Sequence, residues 1–199
     1  MSGRRRRLLA CGIFSKEIRW LIEEKRWPVD PVFLDSSLHV DLGRLETELT
    51  STLSRCIGED VAVFFGACHP HIDRILSEDG IVRTPVENCV EAILGREAYL
   101  RELENGAFFL FEDWARRAGS VILSAFGGSL AVAREVYQSQ QKYLLCIRTP
   151  CSNDFGPEAE ATGRMLGLPL RWMDATLDRL EALLSEIVVC GQEGVACRS

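Results

Sequence analysis

The sequence lacks long hydrophobic runs and has no recognisable export signal. Arg, Glu or Asp interrupts every stretch that approaches the roughly 20 continuous apolar residues of a membrane-spanning helix. After Arg7, only Leu8, Leu9 and Ala10 precede Cys11, whereas a signal peptide carries roughly 7–15 apolar residues at that place. We therefore expect a cytoplasmic protein that does not span a membrane.

Positive charge is also scarce. The chain has 23 Lys and Arg against 29 Asp and Glu, which gives a net charge of −6. A nucleic-acid-binding protein must neutralise a phosphate backbone, so this balance argues against nucleic acid as a partner. The one basic run, Arg4 to Arg7, is typical of a solvated flank.

The familiar short motifs of active sites are missing. No CxxC pair and no HExxH helix is present, so the usual zinc signatures are absent. The chain also has no G-x-x-x-x-G-K loop for phosphate and no G-x-S-x-G elbow for a serine nucleophile. These absences leave the cysteines and histidines as the main candidates for chemistry.

What is present is an alternation of apolar strands and amphipathic helices. The alternation predicts βαβ units and a parallel sheet with helices on both faces, that is, a Rossmann-like, doubly wound α/β fold. We expect one domain over residues 7–185 and a flexible tail at 186–199, although the Gly-rich stretch 119–128 would suit a division into two small lobes. The expected strands are 7–12, 32–34, 61–65, 81–83, 107–111, 143–147 and 170–173, and the expected helices are 15–27, 41–53, 86–95, 113–117, 130–142, 157–166 and 176–185.

Three of the eight cysteines stand where ligands bind in such folds, next to the carboxyl ends of strands. Cys11 ends the first predicted strand, Cys68 follows the third, and Cys89 lies near the start of a predicted helix. A helix N-terminus lowers a thiol pKa, so we expect Cys89 to be ionised. The alternative for each cysteine is a small buried hydrophobic residue.

The segment after Cys68 is the densest group of possible acid–base or metal-binding side chains. It contains His69, His71 and Asp73, and imidazole beside a thiolate is a combination that zinc accepts. The alternative is a loop with two solvated histidines. The remaining cysteines divide into expected core residues (Cys56 and Cys146), expected tail residues (Cys190 and Cys197) and one further candidate after a strand (Cys151).

Five segments together resemble the family known as domain of unknown function 1638. They are L-L-A-C-G-I-F at 8–14, F-L-D at 33–35 with His39, F-F-G-A-C-H-P at 64–70, E-N-C-V-E-A-I-L-G at 87–95 and F-F-L-F-E-D-W-A-R at 108–116. The similarity spans about residues 7–185. Carried over residue by residue, the family pattern selects Cys11, Cys68, Cys89 and Trp114, with Trp114 as a cofactor contact. The chain departs from the pattern at 69–71, where His-Pro-His follows the second cysteine.

The resemblance implies that the three cysteines form one site but supplies no established activity. By analogy with enzymes that hold a four-iron cluster through three cysteines, we expect a [4Fe-4S] cluster with one open iron. His69 or His71 would then be the acid–base partner in lyase, hydrolase or desulfidase chemistry on a small-molecule substrate. One alternative is a zinc- or corrinoid-associated binding protein that works with methyltransferase proteins in one-carbon metabolism. Another is a metal-free thiol enzyme with Cys89 as the nucleophile.

Overall fold

The computed structural model describes residues 5–77, 81 and 83–189. Over these residues the chain alternates parallel strands with helices. The strands are β1 (Arg6–Cys11), β2 (Val29–Leu34), β3 (Val61–Phe64), β4 (Ala107–Leu110), β5 (Tyr143–Arg148) and β6 (Leu170–Asp174), and the α-helices are α1 (Ser15–Lys25), α2 (Leu42–Arg55), α3 (Ile72–Ser77), α4 (Cys89–Leu94), α5 (Arg96–Glu104), α6 (Glu112–Ala125), α7 (Leu130–Gln140), α8 (Gly156–Leu166) and α9 (Asp178–Val189).

The chain forms two compact units, and the first contains Met1–Ala92 together with Leu177–Ser199. Its sheet has the strand order β2-β1-β3, with all neighbours parallel. The central strand β1 is apolar, and its Leu8 and Ala10 are fully buried, as a strand covered on both faces requires. In this register Cys11 pairs with Leu34 of β2, so the carboxyl ends of both strands lie at the same edge.

Helices α2 and α9 illustrate how the first unit is held. The Asp41 carboxylate accepts a hydrogen bond from the Arg44 N–H at 3.0 Å, which caps the start of α2. Helix α9 returns from the far end of the chain, and the Glu181 carboxylate makes an ion pair of 2.7 Å with the Lys25 ammonium group of α1.

The second unit, Ile93–Thr176, has a parallel sheet of order β4-β5-β6. Its core packs the buried side chains of β4 and β5, such as Leu110 and Leu144, against helices α6 to α8. Helix α7 also satisfies carbonyls at the end of α8, because Gln138 Nε2 donates to the Leu166 carbonyl at 3.0 Å. These carbonyls have no partner within α8, so the bond stabilises the helix end.

The α/β class is therefore confirmed, and the strands form two three-stranded sheets. The doubly wound, Rossmann-like arrangement and the single domain over 7–185 stay predictions. Of the expected strand at 81–83, Arg83 forms an isolated bridge with Val63, and residue 82 lies outside the described residues. Helices α3 and α5 were not predicted, and α9 continues to Val189, four residues beyond the predicted helix end at 185. Cys190 and Cys197, with the rest of the predicted tail beyond 189, lie outside the described residues.

None of the helices described combines the length and the apolar character that crossing a membrane requires. The six cysteines in the described part of the chain form no disulfide.

Cys146 provides a test of the second core. Its side chain is fully buried in β5, and burial raises the pKa of this thiol from its ordinary 9.0 to about 11. The folded state therefore holds the proton more tightly than the unfolded state, and this contribution to stability is lost as the pH rises from about 9 to 11. Over that pH range we expect the free energy of unfolding of Cys146→Ala to fall by roughly 2 kcal/mol less than that of the wild type, measured by urea unfolding at several pH values. Parallel pH profiles for the two proteins would contradict this.

Candidate functional site

The three cysteines singled out in the sequence line one pocket in the first unit. The pocket encloses about 290 Å³ of empty space, including its open mouth. Cys11 is buried, and Cys68 and Cys89 are half-buried. Most of the remaining wall is apolar, and the other lining residues are Ile13, Phe14, His39, Phe64, Phe65, Gly66, Val86, Asn88 and Ala92.

A close backbone approach at Gly12 brings the segment after β1 against the segment after β2. A Cβ atom at Gly12 would stand 2.7 Å from the Leu34 carbonyl oxygen, which is too close for any other residue without a backbone shift. Because of this approach, Cys11 lies next to the short 3-10 helix Ser36–Val40. That helix carries His39, another residue of the pocket lining.

A second close approach, at Gly66, joins the segment after β3 to the segment before α4. A Cβ atom here would stand 2.7 Å from the Glu87 carbonyl oxygen and 2.8 Å from the Asn88 Cα. The Ala67 N–H donates to the same Glu87 carbonyl at 2.8 Å. This contact places the Cys68 segment beside the start of α4, where Cys89 lies.

Helix α4 begins at Cys89, because two side chains accept hydrogen bonds from backbone N–H groups around its first turn. The Asn88 side chain accepts a hydrogen bond from the Glu91 N–H at 3.0 Å, and the Glu91 carboxylate accepts one from the Glu87 N–H at 3.2 Å. This is close to a capping box. From α9, Arg179 Nε donates to the Glu91 carbonyl at 3.0 Å and ties α4 to the rest of the first unit.

The electrostatics of the pocket correct the expectation that Cys89 is ionised. Burial, followed by the nearby Cys68 as a smaller cause, raises the pKa of the Cys89 thiol to about 12, although the backbone N–H groups of Cys89 and Val90 oppose the increase. Burial also raises the pKa of the Cys68 thiol, against the opposing effects of the Gly66 N–H and the Arg83 charge. The helix N-terminus thus lowers the pKa of Cys89, as expected, but the loss of hydration in an apolar pocket raises this pKa by more.

His39 is the pocket residue whose chemistry the sequence analysis did not use. Its Nδ1 lies 2.8 Å from the Ser36 carbonyl oxygen. The signal in the sequence is its position, five residues after β2 and at the same sheet edge as Cys11.

The predicted acid–base residues His69, His71 and Asp73 are absent from the pocket lining. His69 is buried, its Nδ1 accepts a hydrogen bond from the His71 N–H at 3.1 Å, and its Nε2 lies 3.7 Å from a Glu46 carboxylate oxygen. His71 is exposed. The Asp73 carboxylate binds the Arg83 guanidinium at 2.6 Å. Their catalytic role stays a prediction.

Trp114 belongs to the second unit, where it is half-buried and packs against the core. Its role as a cofactor contact stays a prediction. Cys151 follows β5 in the same unit, and its N–H donates to Thr149 Oγ1 at 3.2 Å. Among the residues described, no group of three or more His, Cys, Asp or Glu side chains is already arranged to hold a metal ion.

The close approach at Gly66 is open to a direct test. Gly66→Ala forces the backbone at 66 away from residues 87 and 88, because the new Cβ would overlap the Glu87 carbonyl oxygen. We expect a loss of about 1–3 kcal/mol in the free energy of unfolding, measured by urea unfolding. Gly119→Ala is the matched control, since a Cβ at Gly119 in α6 meets no atom within 4 Å. That change should stabilise the helix by about 0.5–1 kcal/mol. Equal effects of the two changes would contradict the argument.

Comparison with known protein families gives a match that covers most of the chain. A family model described as "Protein of unknown function (DUF1638)" matches residues 33–184, which is more than half of the sequence. No curated protein and no solved structure matches the chain. The match includes Cys68, Cys89 and Trp114, and the resemblance noted in the sequence is thereby confirmed. The chain belongs to the DUF1638 family.

Proposed function

We propose that this protein binds a metal centre through the thiolates of Cys11, Cys68 and Cys89, with a [4Fe-4S] cluster as the first candidate. The observation that carries the proposal is that these three side chains, from three separate segments of the chain, line one pocket. Free cysteines are often buried one at a time as small hydrophobic residues. Three that share a single pocket are better explained by a common ligand.

The donor set fits soft metals. Thiolate sulfur is the preferred ligand of iron–sulfur clusters and also of zinc. Without a cation, two thiolates beside each other in an apolar pocket repel, which is why Cys68 raises the pKa of Cys89. A bound cation removes that repulsion and replaces the thiol protons. The proposal therefore requires the side chains to lose their protons and to move together when the metal binds.

A cluster held by three protein ligands has one iron with an open position, which supplies a Lewis acid for a small-molecule substrate. The protein's own residues would shape the space around it. Phe14, Phe64 and Phe65 line the pocket with apolar surface, which excludes water and lowers the local dielectric. The open mouth leaves a path for the substrate.

Zinc is the second candidate, because His39 is also part of the pocket lining. Three cysteines and one histidine make one of the common ligand sets of structural zinc sites. In that case the four ligands would complete the coordination of the metal, and the protein would be a binding or scaffolding protein.

A metal-free thiol enzyme with Cys89 as its nucleophile is less well supported. The thiolate is the reactive form of cysteine, and the pKa of about 12 keeps the Cys89 thiol protonated at neutral pH. Arg83 lowers a thiol pKa here, but the thiol on which it acts is that of Cys68.

Purification without oxygen, followed by analysis of iron, sulfide and zinc, tests the proposal. A brown protein with roughly four iron and four sulfide per chain supports the cluster, and one zinc per chain supports the alternative. Cys11→Ser, Cys68→Ser and Cys89→Ser should each reduce the bound metal by at least about tenfold, because each removes a thiolate ligand.

Cys151→Ser is the matched control, since Cys151 is also half-buried and lies in the other unit. It should leave the metal content unchanged. The proposal fails if the three pocket variants retain the metal content of the wild type, or if the wild type binds neither iron nor zinc.

A further inference from the structure

The wall and the size of the pocket restrict the molecules that can enter it. Phe14, Phe64 and Phe65 form part of the wall, and Ile13 and Val86 extend the same apolar surface. The pocket encloses about 290 Å³, with its open mouth included, whereas ligand pockets commonly measure roughly 300–1,000 Å³. This space therefore fits a small molecule with an apolar body.

The polar side chains of the wall form hydrogen bonds but not ion pairs. Apart from the thiols they are His39 and Asn88, and the described residues that line the pocket include no Asp, Glu, Lys or Arg. The Asn88 side-chain oxygen accepts a hydrogen bond from the Glu91 N–H at 3.0 Å. An anionic ligand would thus find no Lys or Arg in the wall to pair with, and a cationic ligand would find no Asp or Glu.

Arg83 is a cation whose charge acts on Cys68, but its guanidinium group is engaged by other partners. Its Nε and Nη2 atoms donate to the Asp73 carboxylate at 2.6 and 3.3 Å. Its Nη1 atom donates to the carbonyls of Thr84 and Val86 at 3.0 and 2.9 Å. An anion in the pocket would have to compete with all of these bonds.

The two half-buried thiols report how the pocket treats a charge. Burial raises the pKa of both Cys68 and Cys89, because an apolar wall replaces the water that would hydrate a thiolate. A carboxylate, phosphate or ammonium group on a ligand would lose its hydration in the same way. A metal centre with three thiolate ligands would disfavour an anion further, since three thiolates outweigh the charge of a divalent core.

We propose that the substrate of the metal centre is a small neutral molecule with an apolar body, and that the pocket excludes carboxylates, phosphates and other ions. This inference rests on the first candidate of the proposed function, in which one iron position stays open. The neutral substrate binds that position through a lone pair on oxygen, nitrogen or sulfur. Its apolar part lies against the phenylalanines of the wall.

The test uses three methanethiosulfonate reagents as probes of the full chain, with reduced thiols and a metal chelator. The reagents carry a tert-butyl, a sulfonate or a trimethylammonium head group on the same ethyl chain, so they are similar in size and differ in charge. Each transfers its thioalkyl group to a cysteine as a mixed disulfide and releases methanesulfinate. Peptide mass spectrometry gives the rates at Cys68 and Cys89, and free mercaptoethanol gives the intrinsic rate of each reagent.

We expect both charged reagents to react at least about tenfold more slowly than the neutral one at Cys68 and Cys89, after division by the rates with mercaptoethanol. The reagents are compared at the same cysteine, so the ionised fraction of the thiol cancels from the ratio. A charged reagent that reacts as fast as the neutral one would overturn the inference.

Two variants at His39 separate the effect of charge from that of access. His39→Lys adds a cation to the pocket wall, and His39→Gln changes the same side chain without adding one. The normalised rate of the sulfonate reagent should be at least about tenfold higher in His39→Lys than in His39→Gln, because the new ammonium group attracts the sulfonate. Equal exclusion of the sulfonate by the two variants would mean that the width of the mouth governs entry, and the inference would fail. Urea unfolding of both variants reports on the fold separately.

The outcomes distinguish this inference from the proposed function. If the sulfonate reagent reacts as readily as the tert-butyl reagent, the neutral substrate is wrong, while the metal analysis of the three cysteine variants still decides on the metal centre. If the protein binds neither iron nor zinc, the proposed function fails, and the role of the ligand as a substrate fails with it, whatever the reagents show.

Discussion

The candidate site depends on two places where backbone segments approach more closely than a side chain would allow. At Gly12 the segment after β1 lies against the Leu34 carbonyl, and at Gly66 the segment after β3 lies against residues 87 and 88. The parallel register of β1 with β2 and β3 places these segments at one sheet edge. Because a glycine has no Cβ atom, the backbone of each segment can then come into direct contact with its neighbour. Without the two approaches, the cysteines would remain on one edge without sharing a pocket.

The same enclosure makes the pocket unusual electrostatically. Burial among Phe, Ile, Val and Ala side chains holds the thiol protons in place, so the protein on its own keeps Cys68 and Cys89 in the neutral form. An apolar pocket that penalises one thiolate penalises several together even more. A soft cation is the partner that compensates such a penalty, because it neutralises the charge at its source. The proposed metal centre therefore accounts for the pocket better than an isolated nucleophile does.

Local signals predicted the fold best where they agreed with burial. The helix expected at 41–53 is found as α2, with Leu45, Leu49 and Leu53 buried, and the apolar runs of β1 and β5 are buried strands. Helix α5 was not predicted: it spans only nine residues, Arg96–Glu104, and none of them is buried, so no core-facing stripe marks it. The start of α4 was placed too early, at 86, since Thr84-Pro85 resembles a helix start. The Asn88 and Glu91 caps decide the actual start at Cys89.

By itself, the sequence determined the α/β class, the family, and the three cysteines as the residues to examine, because hydrophobic periodicity and position after a strand are local properties of the chain. The tertiary structure decided the protonation of Cys89, the place of His39 in the pocket, and the separation of His69, His71 and Asp73 from it. These features depend on which distant segments become neighbours, how far they exclude water, and which carbonyl a ring nitrogen meets. Spacing along the chain carries no information about any of the three.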